Sequence, residues 1–272
     1  MYKVAVIMSV YRSDSLEYLK DAINSILTQT FNKLTLFIYR DGAVPIEIDE
    51  YLSCIRSKNG NVILLISEQN SGLANALNKL IDTVVLDGSF SYVARMDSDD
   101  ISRPERLIKQ VDFFVNNQDI DVCGTSCREF GATYALDEKH LPKTHEELLD
   151  FSVTRCPFIH PSVMFRSSVF TDGNRYPTDT AFTEDMALWF NLLKKGYRFG
   201  NINEVLLDYR LNENTIERRK GIDKALSEVR IRTSNMFALG KFSLRNVVLI
   251  YSRILFHLLP SSLVKLAYKK AR

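Results

Sequence analysis

Apolar runs alternate with amphipathic stretches along the first hundred positions of the chain. The apolar runs predict β-strands at Val4–Val10, Leu34–Tyr39, Asn61–Ser67 and Ser91–Met96. Apolar residues at helical spacing predict helices at Leu16–Gln29, Ile48–Ser57 and Gly72–Val85. Short apolar strands separated by helices are typical of a parallel sheet that is covered on both faces. We therefore predict an α/β fold whose ligand site lies at the carboxyl ends of the strands.

The pattern changes after Asp121. The strand-like segments DVCGT and PSVMFR are shorter and are separated by loops, which predicts a mixed second half covering the binding edge of the sheet. From about Ile222 onward the chain has a helical pattern. We therefore predict a catalytic domain over residues 1–220 and a helical C-terminal extension over residues 221–272.

The net charge of +2 hides an uneven distribution. Nine Lys or Arg residues and no acid follow Glu228, so the first 228 residues carry −7. This asymmetry indicates contact with an anionic surface at one end of the molecule. The N-terminal apolar run is too short for a signal peptide, and the four cysteines have no paired spacing. We expect a cytoplasmic protein with reduced thiols, no zinc site and no nucleic-acid partner.

A cluster of carboxylates follows the fourth predicted strand, in the stretch ARMDSDDISRPERL. In an extended strand Arg95, Asp97 and Asp99 share one face, because alternate residues point the same way. Two such carboxylates, about 6.5–7 Å apart along the backbone, can lean towards one hard cation. Magnesium prefers one or two protein carboxylates together with water and substrate phosphates. The cluster therefore predicts a half-open Mg²⁺ or Mn²⁺ site.

The cluster also allows two other interpretations, an EF-hand loop and a helix start. An EF-hand that starts at Asp97 does not fit, because Ser102 and Ile108 stand where that loop needs Gly and Glu. A helix that starts near Pro104 fits better, with Asp100 or Ser102 as its N-cap. A cap needs one acid rather than three, so metal binding and helix capping are both expected here.

Five separate stretches resemble the family 2 glycosyltransferases in order and approximate spacing. They are VAVIMSVYR, IYRDGAV, NSGLANALN, ARMDSDDISRPERL and TEDMALW, and the resemblance covers roughly residues 3–220. It implies the GT-A fold, a nucleotide-sugar donor, Mg²⁺ or Mn²⁺, and inversion at the anomeric carbon. The chain departs from the family pattern where Arg40 replaces an acid, Ala43 replaces a serine and Leu77 replaces an arginine. These departures concern nucleotide recognition more than the chemistry.

The residue patterns and the resemblance together give a set of expected donor-binding residues. They are Val10, Tyr11, Asp41, Gly72, Asn78, Arg95, Asp97, Arg218 and Arg219. The resemblance also implies Asp97 and Asp99 as metal ligands. Structural alternatives stay open for several of them: Asp41 can form a plain Asp-Gly turn, Gly72 can be a helix-entry glycine, and Arg218 and Arg219 can form a solvated basic face.

The catalytic base is expected at the start of a later helix. Thr183, Glu184 and Asp185 precede an apolar helical stretch, so the two acids can simply complement the helix dipole. The resemblance instead implies Asp185 as the general base, with Glu184 positioning the base or the acceptor. His160, between two prolines and before a strand in CPFIHPSVMF, either lines the acceptor pocket or is a loop histidine.

The tail carries an apolar stripe at helical spacing. The stripe consists of Leu244, Val247, Val248, Tyr251, Ile254, Leu255, Leu258 and Leu259. It can pack on its own domain, pack on a dimer mate, or lie in the plane of an anionic membrane. Because no acid follows Glu228, we favour the membrane.

The full-length pattern resembles bacterial enzymes that build O-antigen or capsular polysaccharide on undecaprenyl diphosphate. This resemblance implies UDP-galactose or UDP-glucose as donor and a lipid-diphosphate-linked N-acetylhexosamine as acceptor. It places the protein peripherally on the cytoplasmic face of the inner membrane. A nucleotidyltransferase or a dehydrogenase is disfavoured, because the loop SVYRSDS after the first strand has no glycine. A catalytically idle, membrane-docked scaffold remains an alternative.

Overall fold

The computed structural model describes residues 2–180, 183–213, 221–259 and 264. The strands are β1 (Val4–Val10), β2 (Leu34–Asp41), β3 (Val62–Ser67), β4 (Tyr92–Arg95), β5 (Ile101–Ser102), β6 (Val122–Phe130), β7 (Met164–Arg166) and β8 (Phe199–Arg210). The helices are α1 (Leu16–Leu27), α2 (Ile46–Lys58), α3 (Leu73–Asp87), α4 (Arg106–Asn116), α5 (His145–Thr154), α6 (Ser168–Thr171), α7 (Glu184–Lys194), α8 (Ile222–Ala238) and α9 (Leu244–Leu258). A 3₁₀ turn at His160–Ser162 precedes β7.

The strands form one mixed sheet in the order β3-β2-β1-β4-β7-β6-β8-β5. The first four run parallel, as the sequence predicted. Strand β7 is antiparallel to both of its neighbours, so β6 and β8 run in the same direction as β4. The carboxyl ends of β1, β2 and β4 therefore lie side by side at one edge of the sheet.

Strand β1 shows why both faces of the sheet are covered. Val4, Val6 and Met8 point into one core, which α1, α2 and α4 complete. Ala5 and Ile7 point into a second core, which α3 and α7 cover. The whole run is therefore apolar rather than alternating, as expected for a strand buried on both faces. Each fully buried aliphatic side chain stabilises the fold by about 1.5–3 kcal/mol.

The second half of the sheet differs from the prediction of short strands. Strand β6 has 9 residues and β8 has 12. The β6–β8 ladder shifts register around Ser126. The middle of β8 is exposed, which breaks the periodicity that would have identified this strand. The prediction of short strands was therefore wrong for β6 and β8 but right for β7, which has 3 residues, and the mixed sheet was right.

The C-terminal helices α8 and α9 pack together against α5. Val229 and Met236 from α8 meet Ile250 from α9 and Val153 from α5 in a small apolar core. The domain boundary near residue 220 stays a prediction. Within the described parts of the chain, no helix combines the length and apolar character that crossing a bilayer requires.

Candidate active site

An acidic turn follows β4 at the carboxyl edge of the sheet. Asp97, Asp99 and Asp100 lie in this turn rather than on an extended strand, yet each offers a carboxylate oxygen within 4.8 Å of the others. Arg95, whose side chain is buried, donates to Oδ1 of Asp97. Arg95, Asp97 and Asp99 thus lie close together, as predicted. The shape of the turn brings them together, rather than the alternation of side chains along a strand.

The acidic turn fits a divalent cation. Burial and the neighbouring charge of Asp97 raise the pKa of Asp99 to about 6. Burial, with the charges of Asp97 and Asp99, also raises the pKa of Asp100 well above its usual value. The buried Oδ2 of Asp100 has no hydrogen-bond partner among the described residues. Clustered carboxylates of this kind are the oxygen ligands that Mg²⁺ and Mn²⁺ prefer, and a cation would relieve their repulsion.

Asp100 anchors the turn to the last long strand instead of capping a helix. Its Oδ1 accepts a hydrogen bond from the backbone N–H of Arg210 at 2.7 Å, and Nε of Arg210 donates to the backbone carbonyl of Asp99 at 2.7 Å. The Arg210 guanidinium also lies 3.9 Å from the ring centroid of Tyr18. Helix α4 begins only at Arg106, so the predicted cap at Asp100 or Ser102 was wrong.

Asp14 is a further member of the acidic cluster, which the sequence reasoning missed. Its Oδ2 accepts from the backbone N–H of Tyr11 at 3.0 Å. Burial, with smaller effects of the Asp99 and Asp97 charges, raises the pKa of Asp14 to about 7. The only available signal was topological: the loop after β1 ends beside the turn after β4.

The loop before α3 is held by Asp41, at the end of β2. Its Oδ1 accepts from the backbone N–H of Ser71 at 2.8 Å and from the Ser71 hydroxyl at 3.1 Å, while Oδ2 accepts from the backbone N–H of Gly72 at 2.9 Å. Gly72 has φ +85°, a conformation that favours glycine. Arg40, which replaces the family's acid, forms ion pairs with Asp49 and Glu68, both at 3.0 Å.

The remaining predicted donor-binding residues have distinct surroundings. Val10 is buried, and Tyr11 beyond it is exposed at the sheet edge. Both polar atoms of the Asn78 amide are bonded to the backbone of Tyr176, at 2.8 and 2.9 Å. Arg218 and Arg219 lie outside the described residues. The donor roles of all these residues stay predictions.

His160, which is half-buried, and Tyr176, which is buried, form a pair beside Arg95. Nε2 of His160 lies 2.9 Å from the Tyr176 hydroxyl. Burial and the positive charge of Arg95 lower the pKa of His160 well below its usual value, so the ring is neutral near pH 7. Burial raises the pKa of Tyr176, and Arg95, Asp97, Glu184 and Asp185 all act on it electrostatically. Tyr176, which the sequence reasoning missed, therefore lies close enough to the acidic turn and to the two acids of α7 to be affected by the charges of both.

Arg106 joins the acidic turn to the His160 segment. Its buried guanidinium donates to the backbone carbonyls of Pro161 at 2.8 Å and Arg95 at 3.2 Å. It thereby ties the start of α4 to the end of β4 and to the 3₁₀ turn. Arg106 belongs to the stretch RPERL, but its position in the sequence does not indicate which groups it contacts.

The two acids at the start of α7 differ in their contacts. Oδ1 of Asp185 accepts from the backbone N–H of Met186 at 2.7 Å, and Oδ2 accepts from the Cys156 thiol at 3.8 Å. Burial, and then the charge of Asp185, raise the pKa of Cys156 to about 12, so the thiol keeps its proton. Burial raises the pKa of Glu184, with the charge of Asp185 adding to the effect.

Helix α8 contacts the start of α7 and the end of α5. The hydroxyls of Thr183 and Ser227 lie 3.3 Å apart. Arg232 is buried and donates to the backbone carbonyls of Ser152 at 2.9 Å and Val153 at 3.3 Å, at the end of α5. The C-terminal helices therefore reach the helix that carries the candidate base.

Comparison with known proteins gives a consistent result. The family model described as "Glycosyl transferase family 2" matches residues 5–173. A UDP-Gal:alpha-D-GlcNAc-diphosphoundecaprenol beta-1,3-galactosyltransferase of Escherichia coli is 32% identical, and the alignment covers 98% of this chain and 96% of that protein.

Solved structures share the fold at low sequence identity. S. aureus TarS 1-349 in complex with UDP-GlcNAc has a TM-score of 0.65 at 16% identity, over 94% of this chain and 72% of that one. This chain spans 43% of a longer TarS chain. The mannosyltransferase PcManGT from Pyrobaculum calidifontis, in complex with GDP-Man and Mn2+, has a TM-score of 0.63 at 15% identity, over 99% of this chain and 85% of that one. The GT-A fold predicted from the sequence is thereby confirmed.

Proposed function

Because this chain belongs to glycosyl transferase family 2, we propose that it transfers a hexose from a UDP-sugar to a lipid-diphosphate-linked N-acetylhexosamine. Galactose or glucose is the proposed sugar, and O-antigen or capsular polysaccharide synthesis is the proposed process. The similarity to the E. coli galactosyltransferase, which extends over nearly the full length of both proteins, supports this choice. The proposed place of the reaction is the cytoplasmic face of the inner membrane.

The observation that carries the proposal is the grouping of two acidic sites around Arg95 and Tyr176. The acidic turn and the acids of α7 both act electrostatically on Tyr176, so both lie near this side chain. An inverting transfer needs a group that supports the leaving diphosphate and a base for the acceptor hydroxyl, and two separate acidic sites can supply them. His160, neutral and held by Tyr176, is available as a hydrogen-bonding group for the acceptor.

In this proposal Asp97 and Asp99 hold a Mg²⁺ or Mn²⁺ ion, and Asp100 keeps their turn in place. A bound cation would neutralise charge on the departing diphosphate. The buried guanidinium of Arg95 orients the Asp97 carboxylate through their ion pair.

Asp185 is the proposed general base, and Glu184 the residue that positions it or the acceptor. Asp185 is held by the Met186 N–H and by the Cys156 thiol, which fixes its orientation. A fixed carboxylate within reach of the acceptor hydroxyl is what general-base catalysis requires.

The experiment is a panel of UDP-sugars with a synthetic lipid-diphosphate GlcNAc or GalNAc, in which UDP release and product linkage are measured. Transfer should stop on chelation and return with Mn²⁺ or Mg²⁺. Asp99→Asn should abolish transfer, whereas Asp112→Asn, at an exposed position of α4, should not. Metal-dependent transfer that persists in Asp99→Asn would overturn the metal assignment, and a wild-type protein without transfer on the whole panel would favour the idle scaffold.

The base is tested in the same assay. Asp185→Asn should abolish transfer while UDP binding, measured by calorimetry, stays within about twofold of wild type. If Asp185→Asn keeps its activity and Glu184→Gln loses it, Glu184 is the base instead.

A further inference from the structure

The turn between α8 and α9 exposes a group of large apolar side chains, which we call the hairpin face. It consists of Phe237, Phe242, Leu244, Val248 and Tyr251, whose exposed fractions are 59%, 62%, 76%, 60% and 49%. The rings of Phe237 and Phe242 stack, with 5.3 Å between their centroids. Leu244, Val248 and Tyr251 follow at helical spacing, so they line one side of α9. Contiguous exposed apolar surface of this kind marks an interaction site.

The hairpin face is separate from the apolar surface that holds α9 on the protein. Val247, Ile250 and Ile254 pack against the core formed with α5 and α8. Helix α9 therefore has two apolar sides, one used by its own fold and one left in solvent. The single stripe seen in the sequence combines both, and intramolecular packing accounts only for the first.

Among the described residues, four cations and two acids lie on or beside the hairpin face, so its net charge is positive. Arg230 on α8 and Arg245 on α9 are exposed. Lys241, in the turn between the helices, pairs with Asp150 of α5 at 2.6 Å. Glu228 is buried and pairs with Arg253 at 2.7 Å, and no acid follows it in the sequence. The partner of this face should therefore be apolar and anionic.

We propose that the hairpin face docks on an anionic phospholipid bilayer, with its aromatic and aliphatic side chains at the level of the headgroups. This proposal rests on the proposed function, which needs access to a lipid-linked acceptor. An amphipathic helix with basic flanks binds such a surface by apolar burial together with electrostatic attraction. A second copy of the chain fits less well, because it would bring the same cations to the same face.

Docking at this face would also place the active site relative to the bilayer. Helix α8 contacts the start of α7 through Ser227 and Thr183, and the end of α5 through Arg232. The hairpin face and the carboxylates of α7 therefore belong to one packed group of helices. A bilayer that binds the hairpin face therefore fixes the distance between the α7 carboxylates and the lipid headgroups.

The test measures binding of the full-length protein to sedimented vesicles of phosphatidylcholine alone or with 30% phosphatidylglycerol. Binding should be at least tenfold tighter to the anionic vesicles and should weaken with salt. The double variant Phe242→Gln/Val248→Gln should lose at least tenfold in affinity. The matched control Ile46→Gln/Leu86→Gln removes two apolar side chains of equal or greater exposure, 64% and 89%, and should bind like wild type.

A short-chain, water-soluble acceptor separates this proposal from the proposed function. The hairpin variant should transfer sugar to that acceptor at the wild-type rate, which also shows that it is folded, but should be slower on a vesicle-embedded acceptor. Equal binding to neutral and anionic vesicles, or unchanged binding by the hairpin variant, would overturn the docking surface. A variant that dissociates a wild-type dimer in analytical ultracentrifugation but still binds vesicles would assign the face to a second copy. A wild-type enzyme inactive on the soluble acceptor would count against the proposed function alone.

Discussion

Replacing Asp41 by alanine separates a structural role of this carboxylate from a nucleotide-binding role. Its two oxygens accept three hydrogen bonds from Ser71 and Gly72, which hold the loop entering α3. The substitution leaves two backbone N–H groups and one hydroxyl without this acceptor. We therefore expect the fold to weaken, and any effect on donor binding to follow from a displaced loop.

The magnitude follows from those contacts. A hydrogen bond to a charged group contributes about 1.5–3 kcal/mol when buried, and loss of a capping side chain costs about 0.5–2 kcal/mol. Asp41 is buried, but Ser71 is exposed and Gly72 half-buried, so water can replace part of the loss. We expect Asp41→Ala to lower the free energy of unfolding by about 2 kcal/mol, which shifts the melting temperature by roughly 4–8 °C.

The assay is urea unfolding followed by circular dichroism, together with the KM for the UDP-sugar. Asp41→Asn keeps one acceptor oxygen and should lose about half as much stability. Ser71→Ala removes only the 3.1 Å hydroxyl contact and should lose less than 1 kcal/mol. If Asp41→Ala keeps wild-type stability but raises KM at least tenfold, the carboxylate acts on the nucleotide and the structural reasoning is refuted.

Two further predictions concern packing and capping away from the acidic turn. Gly124→Ala should lower the free energy of unfolding by about 1–3 kcal/mol in the same urea assay, because the added Cβ would collide with the amide oxygen of Asn201. The Asn201 side chain cannot easily move away, since its amide nitrogen donates to two backbone carbonyls. Gly60→Ala is its control, since nothing lies within 4 Å of the added Cβ, and equal losses in both would contradict the collision. Thr144→Ala removes the capping box formed with Glu147 and should lower the free energy of unfolding by about 1 kcal/mol, with an unchanged KM for the donor. An altered KM would mean that the start of α5 influences donor binding.

The first four strands were predictable because each has an apolar run. Strands β1, β2 and β4 are buried on both faces or nearly so, which requires a continuous apolar run that few other elements show. Strand β3, at the edge of the sheet, exposes Ile63 and Ile66 but has the same kind of apolar run. Strand β8 was not predictable in this way. Its middle is exposed beside the register shift at Ser126, so neither alternation nor a continuous apolar run marks it.

The residues of the candidate site also differ in how far the sequence predicts them. Asp97, Asp99 and Asp185 were selected because they belong to short motifs, in the case of Asp185 through the family resemblance, and their roles stay predictions. Asp14 and Tyr176 were missed because their neighbours are distant in sequence: the bond between Asn78 and Tyr176 spans 98 positions. Such pairs arise from strand order and from the return of the chain over the sheet, neither of which a single sequence displays.

The attachment of the acidic turn to Arg210 has a consequence for the order of folding. The contacts from Arg210 to Asp99 and Asp100 span 111 and 110 residues, so they form only after β8 has joined the sheet. Contacts this distant in sequence are entropically slow to close and form late. We therefore expect the turn to acquire its final shape only after β8 joins the sheet, and partly folded chains to lack the completed proposed cation site. A cation that binds only the finished turn then stabilises the native state selectively, by mass action.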